Sequence, residues 1–138
     1  MTTLYAPAIS RLRRRLRGLP YATMIAALQD ALEALEVSAL AADNSGRYIA
    51  ANARATTLTG YSRTELLGMS VKDLTPAMRQ DAADNLWPRF IHAGAQAGDY
   101  VLERKDGAPV GVHYAAFASV APGVHISLLT PLALPSSL

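Results

Sequence analysis

The 138-residue sequence contains no cysteine. This absence excludes disulfides, thiolate metal sites, nucleophilic thiols and any chromophore attached through a thioether or a cysteinyl photo-adduct. The sequence also lacks an apolar run near the ~18 residues that a transmembrane helix needs. No apolar stretch with a small-residue cleavage site follows the N-terminal arginines, so a secretory signal is not indicated. We therefore expect a cytoplasmic protein.

The composition is typical of one globular domain with an uneven charge distribution. Apolar residues make up 51% of the chain and charged residues 17%, which suits a packed core rather than a disordered segment. Residues 18–138 carry eight basic and eleven acidic side chains, a net charge of −3. The basic character therefore belongs to an N-terminal arm. Its arginines are Arg11, Arg13, Arg14, Arg15 and Arg17.

Two amphipathic helices are predicted ahead of the first strand. Apolar side chains recur at helical intervals from Tyr5 to Leu16, with arginines between them, before a break at Gly18–Pro20. We define residues 1–20 as the basic amphipathic arm. A second apolar stripe predicts a cap helix over residues 21–36. The members of that stripe are Met24, Ile25, Leu28, Ala31, Leu32 and Leu35.

A hairpin and a series of short helices are predicted next. Val37–Asp43 and Arg47–Ala51 are strand-like and are joined by turn-forming residues. Asn52 is well placed as the N-cap of a helix that Gly60 ends. Ser62–Glu65 has the pattern of a capping box that opens another short helix.

A longer helix is expected after residue 75. Thr75-Pro76 is a cap residue followed by a proline at the first helical position, and the pattern continues to about Ala93. Pro88 removes one backbone donor inside this segment. We expect it to kink the helix or to end its regular part.

The last third of the sequence predicts three more strands, at Asp99–Arg104, Val110–Val120 and Val124–Leu132. Asp106-Gly107 has the residues of a hairpin turn. Alternation places the apolar residues of Val110–Val120 on one face. The predicted fold is α+β, with one five-stranded antiparallel sheet, helices on one face, and amphipathic helices in front. Residues 133–138 should form a flexible tail.

Several short motifs follow one another in a fixed order between residues 37 and 132. They read Asp43-x-x-Gly46, Ile49-x-x-Asn52-x-x-Ala55-x-x-Leu58-Thr59-Gly60-Tyr61-Ser62, Glu65-Leu66-Leu67-Gly68, Asp73-Leu74-Thr75-Pro76 and Glu103-Arg104-Lys105-Asp106-Gly107. The ordered set resembles the PAS domain family. The resemblance implies a PAS domain over residues 37–132, with a pocket between the sheet and its helices. It also implies that the cap helix packs on the other face of the sheet or on a partner's cap.

The same resemblance implies a sensory and signal-transduction module of bacterial signalling proteins, such as two-component systems. Such a module forms homodimers, contacts an output partner or an effector domain missing from this sequence, and in some cases senses a small ligand. No Ser-His-Asp, Cys-His, phosphate-loop or paired-metal pattern occurs in the sequence. We therefore expect a non-enzymatic protein.

A cofactor-binding redox or gas sensor is the alternative function. Leu86-Trp87-x-x-x-Ile91-x-x-Gly94 is similar to a segment of PAS domains that bind flavin non-covalently. Those domains also carry a second Trp and an Asn, where this sequence has Ala97 or Gly98, and Leu102. Haem is less favoured, because the matching helical segment Met78–Ala82 has no histidine ligand. We predict no bound cofactor, with flavin as the alternative.

The histidines do not suggest a metal site. His92 falls near the end of the long helix, where solvent exposure is expected. His113 and His125 are out of phase with the apolar residues of their strands. They are predicted to lie at an interface or on a solvated face, or to meet across the sheet. No further ligand stands at metal-binding spacing, so we predict no metal.

Two sets of side chains are candidate functional residues. The candidate pocket wall, for which an ordinary core is the alternative, comprises Tyr48, Leu58, Tyr61, Leu74, Leu86, Trp87, Phe90, Tyr100, Leu102 and Tyr114. The candidate dimer interface comprises Leu12, Leu16, Met24, Ile25, Leu28, Leu32 and Leu35. Three roles are open for the arm: extending this interface, contacting an anionic membrane or nucleic acid, or remaining a solvated end.

Overall fold

The computed structural model describes residues 5–77 and 80–132, with the backbone alone at residues 80–85. The helices are α1 (Ala6–Leu16), α2 (Tyr21–Glu33), α3 (Ala53–Thr59), α4 (Arg63–Leu66) and α5 (Gln80–Ala93), with a 3₁₀ turn at Val71–Leu74. The strands are β1 (Ser38–Ala42), β2 (Tyr48–Ala51), β3 (Ala95–Glu103), β4 (Pro109–Ala121) and β5 (Val124–Pro131). The predicted flexible tail, residues 133–138, lies outside the described residues.

The strands form one sheet in the order β2-β1-β5-β4-β3, with every neighbouring pair antiparallel. The predicted five-stranded antiparallel sheet is confirmed. The last strand of the chain, β5, lies at the centre and pairs with both β1 and β4. Strand β5 therefore joins the N-terminal hairpin to the C-terminal one.

Helices cover both faces of the sheet. On one face, α1 and α2 pack their apolar stripes against the alternate residues of β1, β4 and β5 that point toward them, such as Ala39, Phe117 and Ile126. On the other face, α3, α4 and the 3₁₀ turn pack on residues such as Leu40 and Leu129. The N-terminal helices thus lie against the sheet of their own chain, and the central strands are buried on both sides.

Local capping contacts explain where the short helices begin. The Asn52 side chain accepts a hydrogen bond from the Ala55 amide, and Gly60 ends α3 with a φ of 79°. Ser62 and Glu65 form the predicted capping box at the start of α4. The sequence expectations for α3 and α4 are confirmed.

The longer elements confirm one expectation and correct another. Helix α5 continues to Ala93, as predicted, and contains Pro88, so of the two alternatives for this proline the end of the helix does not apply. The start predicted at Pro76 depends on residues 78 and 79, which lie outside the described residues. Strand β4 carries a bulge between Phe117 and Ala121, and Val120 therefore packs toward α1 and α2, not with the face predicted for it.

Candidate functional site

An apolar cavity of about 120 Å³ lies between the sheet and α5. Strands β1, β3, β4 and β5 and the first residue of β2 form its floor, while α5 and the 3₁₀ turn cover it. Seven of the predicted pocket residues line it: Tyr48, Leu86, Trp87, Phe90, Tyr100, Leu102 and Tyr114. The cavity is also lined by ten residues outside the candidate pocket wall, namely Leu40, Ala42, Val71, Thr75, Gln96, Ala116, His125, Ile126, Ser127 and Leu129.

Three predicted pocket residues do not line the cavity. Leu58 and Leu74 are buried in the core between the sheet and α3, and Tyr61 packs against that core while half-buried. They pack in the same hydrophobic cluster as several cavity-lining residues, as ordinary core side chains do. For these three residues, the alternative of an ordinary core describes the structure.

A few polar side chains lie in the otherwise apolar cavity wall. The Thr75 hydroxyl donates to Val71 O at 3.1 Å and lies 3.1 Å from the Tyr100 hydroxyl. Tyr114 donates its hydroxyl to Gln96 Oε1 at 3.3 Å. Each polar side chain of this set is therefore already held in one orientation. A ligand would meet directed hydrogen-bonding groups in an otherwise apolar space.

The cavity walls carry no permanent charge. None of its described lining residues is Asp, Glu, Lys or Arg. Burial raises the pKa of Tyr48 above its ordinary value, and burial also raises the pKa of Tyr114. Both phenols are therefore neutral at physiological pH. The site favours uncharged ligands, because a lone charge in such surroundings would lose its hydration.

His125 corrects a prediction, because it is buried in the cavity wall and not placed on a solvated face. Its side chain is 3% exposed. Its Nδ1 accepts from the Ser119 amide at 2.9 Å, and its Nε2 lies 2.7 Å from Asn44 Oδ1. Burial lowers the pKa of His125, although the Asp43 carboxylate opposes this. A neutral imidazole protonated on Nε2 satisfies both contacts.

An aromatic cluster surrounds this imidazole. The ring centroids of Trp87 and Phe90 lie 5.6 and 6.1 Å from that of His125, both edge to face. Trp87 Nε1 donates to Asn44 O at 2.9 Å, which ties α5 to the turn between β1 and β2. Trp87 thus has a structural partner in the turn while its ring faces the cavity.

The other histidines lie away from the cavity. His113 Nδ1 lies 3.0 Å from Asp99 Oδ1 on the neighbouring strand, and β4–β5 pairing places His113 opposite Thr130. It therefore does not meet His125 across the sheet. His92 is exposed at the end of α5. Among the side chains that the structure describes, which leave out residues 78–85, no group of three His, Asp or Glu residues could hold a metal ion.

The candidate dimer residues are largely core residues of the single chain. Leu12, Leu16, Met24, Leu28 and Leu32 are all buried against the sheet. Ile25 and Leu35 are half-buried and pack against the same cluster. Any interface between copies would use the outer surfaces of these helices, because their apolar stripes are already covered.

The arginines of α1 divide into one anchored side chain and an exposed set. Arg13 donates to Ser119 O at 2.6 Å and to Ala118 O at 3.2 Å, which fastens α1 to β4. The exposed set, which we call the arginine face, comprises Arg11, Arg14, Arg15 and Arg17. None of the ion pairs within the described parts of the chain involves these arginines.

The length and hydropathy of the helices are relevant to whether the chain could cross a membrane. In the described portion of the chain, no helix has both the length and the hydropathy required to cross a bilayer. The apolar stripe of α1 is covered by the sheet, and the side chains that this helix exposes from Ser10 onward are polar.

Comparison with known proteins identifies a family. A family model described as PAS domain matches residues 36–127. A search of curated proteins gave no match.

Several solved structures share the fold. The crystal structure of a LOV protein from Rhodobacter sphaeroides superposes with a TM-score of 0.67 at 15% identity, covering 80% of this chain and 67% of that one. A domain of a sensory box sensor histidine kinase/response regulator from Geobacter sulfurreducens gives 0.64 at 17% identity, with 78% and 95% covered. The PAS domain of a LuxR-family transcriptional regulator from Burkholderia thailandensis, in complex with ethanol, gives 0.62 at 18% identity, with 83% and 98% covered.

Proposed function

The chain belongs to the PAS domain family, and on this premise we propose that it is a sensory signalling module whose cavity binds a small, uncharged, largely apolar molecule. The observation that carries the proposal is the cavity of about 120 Å³ between the sheet and α5. An apolar protein cavity of about 150 Å³ is large enough to bind benzene. The space here therefore suits a molecule of about one ring or a short aliphatic chain.

The chemistry of the wall defines the class of ligand. Aliphatic and aromatic groups supply most of the surface, and the polar groups are hydroxyl, amide and imidazole. A ligand with one hydroxyl or carbonyl group would meet Thr75, Tyr100 or Gln96 as its partner. The Burkholderia domain, crystallised in complex with ethanol, supports this class as an analogy.

The test is ligand-induced stabilisation of the purified chain. Ethanol, phenol and indole serve as probes, each titrated while the melting temperature is recorded. A molecule that binds only the folded state raises the melting temperature by mass action. We expect at least one of the ring compounds to do so at millimolar concentration.

A cavity-filling variant provides the matched control. Ala116 lines the cavity and is 6% exposed, so Ala116→Leu would occupy part of the space. The variant should fold and lose the ligand-dependent shift. Equal shifts in the melting temperatures of the variant and the wild type would show that the probes bind outside the cavity. No shift with any probe, together with a native mass spectrum free of bound molecules, would contradict the proposal.

A non-covalently bound flavin is the alternative occupant, supported by the likeness to a LOV protein. The isoalloxazine system has three fused rings, and a cavity of about 120 Å³ is too small for it unless α5 moves outward. Haem fits less well, because both ring nitrogens of His125 already have hydrogen-bond partners. An absorption spectrum from about 300 to 700 nm of protein purified without denaturation distinguishes both cofactors from a colourless ligand.

We propose further that the module is not an enzyme and acts through partners. Among the described residues that line the cavity, His125 is the one imidazole and no carboxylate accompanies it, so the usual acid-base pairs are lacking there. The partner that receives the signal would be an effector domain of the same protein or a separate signalling protein. Homodimerisation through the outer surfaces of α1 and α2 is part of the proposal, and light scattering at tens of micromolar tests it.

A further inference from the structure

The bulge in β4 holds one residue in an uncommon backbone conformation. The register of the β4–β5 pair shifts between Phe117 and Ala121. Inside this bulge, Ser119 has a φ of 54°, the one positive φ at a non-glycine residue of the described chain. Serine rarely occupies this region without support from its surroundings. The surrounding contacts therefore hold the bulge in its shape.

Three elements contact the bulge through its backbone. The Ser119 amide donates to His125 Nδ1 on β5. The Ser119 carbonyl accepts from the Arg13 guanidinium of α1, which also reaches Ala118 O. The Ala118 amide donates to Gly94 O at 2.8 Å, directly after the end of α5. The bulge is thus a junction between the cavity wall, the cavity cover and the basic helix.

The junction continues to the cavity through two further hydrogen bonds. Because Nδ1 of His125 accepts from Ser119, its Nε2 carries the proton and donates to Asn44 Oδ1 at 2.7 Å. Asn44 O in turn accepts from Trp87 Nε1 at 2.9 Å. An unbroken series of polar contacts therefore runs from Trp87 through Asn44, His125 and Ser119 to Arg13. Two of its members, Trp87 and His125, line the cavity.

We propose that this series couples the cavity to α1, so that displacement of Trp87 or His125 loosens the docking of α1 on the sheet. The proposal names the regulation of the cavity described above and rests on the proposed function for its biological meaning. A ligand that turns either ring removes a partner that holds Asn44 or the Ser119 amide. The left-handed Ser119 then relaxes, its carbonyl turns away from Arg13, and α1 loses its polar anchor. In this proposal the bulge is the two-state element that such coupling requires, with Ser119 either held at positive φ or relaxed.

Hydrogen exchange of the α1 amides, measured by mass spectrometry on the ligand-free full chain, tests the coupling. Asn44→Ala breaks the series at an exposed residue of the turn between β1 and β2. We expect the α1 amides to exchange about fivefold faster or more, the lower end of ordinary coupling between sites. Ser45→Ala in the same turn removes a hydroxyl outside the series and should leave α1 unchanged.

A second pair of variants acts from the cavity. Trp87→Phe removes the donor to Asn44 and keeps an aromatic ring, whereas Tyr100→Phe removes a cavity hydroxyl outside the series. The first should speed exchange in α1 and the second should not. Arg13→Gln removes the terminal contact directly. Since both changes break one series, Trp87→Phe combined with Arg13→Gln should exchange no faster than Arg13→Gln alone.

Unchanged α1 exchange in both Asn44→Ala and Trp87→Phe would overturn the coupling, provided that the central strand β5 keeps its protection. Additive effects of Trp87→Phe and Arg13→Gln would overturn it as well. None of these measurements uses a ligand. Failure of the coupling therefore leaves ligand binding standing, and failure of all probes to bind leaves the coupling standing.

Discussion

At the scale of single residues, Asn52 connects four backbone segments. Its Oδ1 accepts from the amides of Ala39 and Ala55, and its Nδ2 donates to Leu32 O and Val37 O. The side chain is 1% exposed. It thus caps α3, closes the end of α2 and holds the start of β1. Three of these hydrogen bonds are buried, and the fourth, to Val37 O, is partly buried.

Asn52→Ala should therefore lower the free energy of unfolding by about 3 kcal/mol. The estimate combines the loss of an N-cap with buried backbone groups left without partners. Urea unfolding of the variant and the wild type measures it. Arg54→Ala, an exposed change in the same turn, should stay within about 0.5 kcal/mol. A loss below about 1 kcal/mol at Asn52 would mean that water reaches these groups.

His125 should make stability depend on pH. Burial lowers its pKa in the folded chain below the ordinary 6.5, against the opposing Asp43 carboxylate. As the pH falls below about 6.5, the unfolded chain binds a proton that the folded chain resists, so stability decreases. Below the folded pKa, the contribution of His125 becomes constant.

Urea midpoints between about pH 7.5 and pH 5.5 measure this dependence. His125→Gln should flatten the decrease. If stability falls as steeply with decreasing pH in His125→Gln as in the wild type, the pH dependence comes from other groups.

At the scale of elements, the hairpin between β3 and β4 depends on one glycine. Gly107 has a φ of 85°, and no atom lies within 4 Å of the position that its Cβ would take. A side chain there would therefore meet a conformational cost without a clash. Gly107→Val should destabilise the chain by about 1–2 kcal/mol, because β-branched residues avoid positive φ. Gly107→Asn, which tolerates this region, should cost clearly less, and equal losses would contradict the argument.

The packing of α2 predicts different effects of a glutamate on its buried face and on its outer surface. Leu28 has no exposed surface and lies between α2 and the sheet. Leu28→Glu should cost on the order of 4 kcal/mol, because a carboxylate is buried without a partner. Ala26 on the outer surface of the same helix is exposed, and Ala26→Glu should leave stability unchanged.

Urea unfolding and light scattering on both variants complete this comparison. A change of mass in Ala26→Glu at unchanged stability would identify the outer surface of α2 as an interface between copies. If the wild type proves to be a dimer, a Leu28→Glu variant that keeps the stability of the wild type but is a monomer would instead show that the apolar stripe faces a partner.

Short-range patterns allowed much of the fold to be predicted, whereas parts of the site depend on distant pairing. The caps at Asn52 and Ser62 were predictable because their contacts close within three residues. The burial of His125 was not, since alternation is informative only when one face of a strand is solvated, and β5 is covered on both faces. Val120 was misassigned because the bulge that redirects it is set by pairing with β5.

At the scale of the whole molecule, the charge is divided between a cationic helix and an acidic remainder. The arginine face lies on the outer surface of α1, and residues 18–138 carry a net charge of −3. We expect the chain to be retained on immobilised heparin at low salt and released as salt screens the contact.

Changing Arg11, Arg14 and Arg15 together to Gln should abolish this retention. Changing Arg47, Arg54 and Arg63 to Gln removes the same charge from exposed positions elsewhere and serves as the control. If both triple variants lose retention on heparin equally, the retention depends on net charge alone and not on the arginine face.

The central position of β5 also shapes how the protein is made. Residues 38–42 pair with residues 125–129, so the ribosome must synthesise almost the whole domain before the sheet can close. Until β5 emerges, α1, α2 and the first hairpin lack the surface that covers their apolar side chains. The nascent chain is then a natural client for chaperones that shield exposed apolar segments. Folding of this domain is therefore expected to wait until β5 has left the ribosome, and not to proceed strand by strand.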